Sequence, residues 1–209
     1  MAATLDHLVW AARDLDEAVE QLYERSGVRA EPGGQHPELG THNALARVGV
    51  HTYLEVLAPD PRLRAGTLAR QLAALPAPAL LMWAARTRNA AATARSAQTE
   101  GYGATMVEGR RTGVDGEDLR WTNVFVSRHG AGTLIPFFIQ WHGARHPAVH
   151  AADGMRLTSF SIETSRPESL RLVLAALDVK VVVRKGLRDR LIARMVTPRG
   201  PLELAGPEN

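Results

Sequence analysis

The chain repeats itself. Val9-Trp-Ala-Ala-Arg13 recurs as Met82-Trp-Ala-Ala-Arg86, each copy closing a short apolar run. Each is followed by an Ala-rich stretch with helical spacing, 14–25 and 89–100, opened by Asp14 or Asn89 as N-cap and closed near Gly27 or Gly101. Strand-like runs come next: 42–49 and 51–57 in the first copy, 104–108, 119–127 and 134–141 in the second. A looser third copy has an alternating run at 156–163, a helix at 167–177 and strands at 179–184, 190–196 and 201–205. A short helix is predicted at 67–75, between the first two copies.

The unit is a strand, a helix and two or three further strands. Three such units predict an α+β fold of repeated βαβββ modules, over residues 1–60, 79–141 and 155–206. The sheets are mostly antiparallel and curved. Helices cover the outer face, and the concave face is open to a ligand.

Bulk properties narrow the function. At 209 residues and 45% hydrophobic content the chain can build a substantial core. It has no cysteine, which removes thiolate chemistry, disulfides and Cys-ligated metals. No apolar run approaches the roughly 18 residues of a membrane span. No signal peptide is read at the N-terminus, and a cytoplasmic location is expected. The net charge is only +3, so nucleic-acid binding is not indicated by composition. The basic residues within 180–199 read as a charged edge hairpin that resists strand addition.

Two polar residues stand inside apolar strands, His7 and Glu55. Side chains alternate along a strand, so Leu8 and Trp10 share the face under the helix and His7 points the other way. Tyr53, Glu55 and Leu57 share one face of the later strand. A buried polar group needs a partner. For His7, a hydrogen-bonded or ligand-facing imidazole and a metal ligand stand open side by side. For Glu55 the alternative is a cleft carboxylate paired with an arginine. The positions matching His7 are Leu80 and Ser159; those matching Glu55 are about Phe137 and Glu203.

The stretch 33–43 reads as a loop whose His36, Thr41 and Asn43 carry hydrogen-bonding groups. Arg120 could clamp a substrate carboxylate, with Trp121 beside it as core or cleft wall. His142, His146 and His150 fall in a Gly- and Pro-broken stretch and read as surface loop.

The βαβββ repeat, with Leu5-Asp-His-Leu-Val-Trp10 and Tyr53-Leu-Glu-Val-Leu-Ala-Pro59, resembles the vicinal-oxygen-chelate superfamily of glyoxalase I, extradiol dioxygenases and bleomycin-resistance proteins. More narrowly, the stretches 33–45 and 135–141 resemble glyoxalase-like domain proteins. The resemblance implies paired modules around a cleft. It also implies one divalent metal (iron, manganese, zinc or nickel) held by first-strand and last-strand residues, here His7, Glu55 and Glu203. Glu55 would be the carboxylate that moves a proton. His36, Thr41, Asn43, Arg120 and Trp121 would bind a small-molecule substrate. Lyase, isomerase and dioxygenase chemistry all follow from the resemblance, and metal-free, drug-sequestering relatives keep a cofactor-free binding protein in view. Glu203, near a Thr-Pro-Arg-Gly turn, reads more readily as a solvent-facing glutamate. An odd number of modules leaves one unpaired, which a homodimer could satisfy.

Overall fold

The computed structural model describes residues 3–112, 118–143 and 146–207. Its first half runs β1 (Thr4–Ala11), α1 (Leu15–Ser26), β2 (Glu31–His36), β3 (Thr41–Gly49), β4 (Thr52–Pro59) and α2 (Thr67–Ala73). Then follow β5 (Ala79–Arg86), α3 (Ala90–Thr99), β6 (Gly103–Thr112), β7 (Asp118–Ser127) and β8 (Phe137–His142). The last part is β9 (Arg156–Thr164), α4 (Pro167–Ala176), β10 (Val182–Lys185), β11 (Arg190–Thr197) and β12 (Gly200–Ala205).

The helix ends follow their caps. Asp14 accepts from the Glu17 backbone N–H at 2.9 Å, and Asn89 accepts from that of Ala92 at 2.8 Å. Gly27 ends α1 at φ 78°, a left-handed conformation that suits glycine.

Two sheets result. One has eight strands in the order β2-β3-β4-β1-β5-β8-β7-β6, and the other has four, β10-β9-β11-β12. The repeat meets itself at the centre of the large sheet, where β1 and β5 pair antiparallel. Each of them also pairs parallel with the last strand of its own repeat, β1 with β4 and β5 with β8. The sheet curls until its edges approach, and the Arg111 guanidinium of β6 donates to the Gly33 carbonyl of β2 across the seam. The expected α+β architecture with curved sheets is the one observed, with α1 and α3 on the outer face and α2 on the concave one.

The core lies on the convex side. Leu8, Trp10 and Trp83 of the large sheet pack with Ala18 and Leu22 of α1, Ala94 and Ala97 of α3, and Ile162, Leu191, Met195 and Leu204 of the small sheet. The small sheet therefore stands behind the large one. The concave side is closed at one end by α2, through Leu72 against Val9, Ala11 and Leu57. At the other end Ala148 and Ala151 pack on Leu45 and Tyr53. Both faces of β1 are thus covered, and Asp6 through Ala11 are all buried. That is why this strand reads as nearly continuous apolar sequence.

Local structure departs from expectation in two places. The stretch 33–43 is not one loop: Gly33 to His36 belong to β2, Thr41 to Asn43 belong to β3, and only the turn between them is irregular. Pro32 and two glycines conceal the strand. An edge strand tolerates them, because Pro withholds a donor only from the open side. The strand expected from residue 134 begins at Phe137, after a 3-10 turn at Gly132–Leu134 and Pro136.

Candidate functional site on the concave face

Alternation along β1 and β4 turns His7, Tyr53 and Glu55 into the interior of the curled sheet. His7 is 3% exposed and lies flat on Tyr53, with ring centroids 4.6 Å apart. Phe137 of β8 meets its edge at 5.4 Å. The His7 Nε2 atom is 3.7 Å from Glu55 Oε2, and Asn43 Nδ2 donates to Glu55 Oε1 at 2.5 Å.

His7 is fixed from behind. Its Nδ1 is 2.8 Å from Asp6 Oδ1. Asp6 is wholly buried, and its carboxylate is ringed by donors. Arg86 Nε donates at 2.7 Å, His146 Nε2 stands at 3.1 Å and Trp141 Nε1 donates at 3.3 Å. Burial alone would raise the Asp6 pKa. Hydrogen bonds and charge from His146 and His7 outweigh it and hold the carboxyl well below its usual range. An ionised Asp6 requires a proton on His7 Nδ1, so it is Nε2 that faces Glu55.

Asn43 needs Gly33. A Cβ on Gly33 would overlap Asn43 Oδ1. We therefore expect Gly33→Ala to displace the Asn43 amide from Glu55 and to cost about 1–3 kcal/mol of stability by overpacking, read by chemical denaturation. An unshifted Asn43 side-chain amide resonance would contradict this.

The remaining expected residues divide. Thr41 and Asn43 are buried, and His36 faces Thr41 Oγ1 from Nδ1 at 3.2 Å. Burial lowers the His36 pKa, with Glu55 opposing and Arg111, His7 and His42 adding to the effect, which favours the neutral ring. Trp121 lies edge-on to His36 at 6.2 Å. Arg120 does not reach the interior. It neighbours Trp121 on the same strand, so it must point outward, where it pairs with Asp118 at 3.8 Å. Glu203 is also elsewhere: it is exposed on β12 of the small sheet and bonded to Arg194 at 2.7 Å. Ser159 lies in that same sheet.

Leu80 is buried in the convex-side core, because β5 carries an irregularity opposite Val9 and Trp10 that turns Leu81 and Met82 inward. Phe137 does face His7. His146, expected on the surface, is folded onto Asp6. Asp6, Arg86, Arg111 and His146 were not expected in the site.

The expected metal ligands are thus not assembled. Among the described residues no three His, Asp or Glu side chains converge to hold a metal. Asp6 is already committed to four donors, and Glu203 is in the other sheet. One imidazole and one carboxylate do not fit the three or four protein ligands usual for zinc or iron sites.

Known proteins set this geometry in context. The chain matches the glyoxalase-like domain family model over residues 5–177. No curated protein matches it. Among solved structures it is similar to a hypothetical protein from Staphylococcus aureus, with a TM-score of 0.68 at 13% identity, covering 97% of this chain and 85% of that one. A single-substitution variant of Streptomyces coelicolor methylmalonyl-CoA epimerase in complex with 2-nitronate-propionyl-CoA gives 0.51 at 20% identity, covering 70% and 98%. A mutant 4-hydroxymandelate synthase from Streptomyces coelicolor gives 0.50 at 15% identity, covering 99% and 63%. At these identities the likeness is one of fold. Family model and fold agree: this chain belongs to the glyoxalase-like family, within the vicinal-oxygen-chelate superfamily.

Proposed function

We propose that the protein is a small-molecule enzyme of the isomerase or lyase type, moving a proton to or from a substrate carbon or oxygen beside a carbonyl group. The observation that carries this reading is the 3.7 Å approach of the buried His7 Nε2 and Glu55 Oε2 in a ring-lined interior. The two atoms are further apart than a hydrogen bond. A substrate atom seated beside them can pass its proton to one and recover it from the other. Asp6 sets the tautomer and plane of His7, and Asn43 holds Glu55 through its other oxygen. General acid–base groups need this fixed geometry.

A metal-dependent dioxygenase reading would require a third side-chain donor beside His7 and Glu55, and none converges there among the described residues. The test is carbon-bound proton exchange. Phenylpyruvate and pyruvate would be incubated with the protein in D2O and followed by NMR. Exchange above background is expected, unchanged by EDTA. Exchange that EDTA abolishes and iron, manganese or zinc restores would overturn the metal-free form of the proposal, and no exchange of either probe would leave proton transfer without support.

A further inference from the structure

Aromatic residues are scarce here: four Trp, three Tyr and four Phe in 209 residues. Five of those eleven face one another on the concave side. Phe125 stacks on Phe137 at 5.6 Å, and Phe137 meets His7 at 5.4 Å. His7 lies on Tyr53, which stands 5.5 Å from His146. His146 is 5.8 Å from Trp141, which meets Trp121 at 5.5 Å. The rings form one unbroken wall. Part of it is open, since Phe125 is 43% exposed and Val107, opposite Asn123 on β6, is 41% exposed. A ring-lined concave surface, buried at one end and open at the other, is the form small-molecule sites take.

The backbone is shaped to this wall. A Cβ on Gly109 would overlap the Trp121 indole, so the missing side chain lets Trp121 lie against β6. Asn123 stands between Trp121 and Phe125 on the same face of β7. Its Oδ1 is buried without a hydrogen-bond partner. A buried acceptor left unsatisfied is costly, and a ligand that donates to it recovers that cost.

Accepting the interior as the substrate site, we infer that it takes a planar aromatic molecule bearing a ring hydroxyl or N–H. The ring stacks along Phe125, Phe137 and Trp121, and the polar group donates to Asn123 Oδ1. Aromatic faces favour offset-stacked rings over saturated ones of equal size.

Phenol, anisole and cyclohexanol test this by calorimetric titration and tryptophan fluorescence. Phenol is the ring with a donor, anisole the ring without one, and cyclohexanol the donor without an aromatic ring. Phenol is expected to bind roughly fivefold to tenfold more tightly than either. The margin over anisole should vanish in Asn123→Leu and persist in Asn123→Asp, which keeps an acceptor. Equal binding of anisole or cyclohexanol, or an unaltered margin in Asn123→Leu, would overturn the assignment. Phenol binding and probe exchange, both read on the wild type, separate this from proton transfer. Phenol bound by the wild type with no probe exchanging would sink the enzyme reading alone. Exchange with no preference for phenol would sink the arene assignment alone.

Discussion

Asp6→Ala is expected to be the most damaging single substitution in this chain. It removes a wholly buried carboxylate from Arg86, His146, His7 and Trp141 at once. Breaking a buried, hydrogen-bonded ion pair costs about 3–5 kcal/mol, because the stranded partners lose compensation. Denaturant unfolding of the two proteins measures the difference directly. Asp6→Asn keeps the shape and one acceptor and should lose less.

The same group gives a signed pH dependence. Its folded-state pKa is depressed, so the unfolded chain binds more protons as pH falls below about 4. The stabilisation is fully present above the unfolded value and is lost as pH drops through the folded one. The stability gap between wild type and Asp6→Asn should therefore narrow as pH falls below about 4. A gap that widened on acidification would contradict the arrangement.

His7→Ala and Glu55→Gln carry the largest expected effects on turnover. Each removes one of the two atoms proposed to handle the proton, and a positioned acid or base contributes on the order of 10²–10⁴ in rate. Both exchange and any net reaction should fall by that factor. Glu55→Gln keeps the size of the side chain, so thermal unfolding should change much less than activity. The two effects should not multiply in the double variant, since residues acting as a unit are strongly non-additive. Full retention of exchange in Glu55→Gln would remove the carboxylate from the mechanism.

Much of this architecture is legible in the residues. The repeated Trp-Ala-Ala-Arg segment marks both central strands, and the period of two places His7 and Glu55 on one face. What fails does so for identifiable reasons. Arg120 and Trp121 are adjacent on a strand and cannot both face the interior, so the pairing of a clamp with a wall was inconsistent with the pleat itself. By the pleat Asp6 shares the face of Leu8 and Trp10, yet a register shift between Leu5 and His7 sets it against Arg86 and His146. Its burial depends on Arg86 and His146, separated from it by 80 and 140 positions. Nothing local in the chain announces such partners. Glu203 matches Glu55 by repeat position, but the third repeat builds a separate sheet behind the first two. The strand at Glu31–His36 is hidden by Pro and Gly, whose local preference is overridden by pairing with β3.

The antiparallel junction of β1 and β5 divides labour between the two halves of the large sheet. Asp6, His7, Asn43 and Glu55 all lie on its first half, whereas Trp121, Asn123, Phe125, Phe137 and Trp141 lie on its second. On the proposed reading, mutation of Trp121, Asn123 or Phe125 can retune which molecule is held while leaving in place Phe137 and Trp141, which touch His7 and Asp6. On that reading, the second repeat chooses the ligand and the first carries the pair of groups that handles the proton.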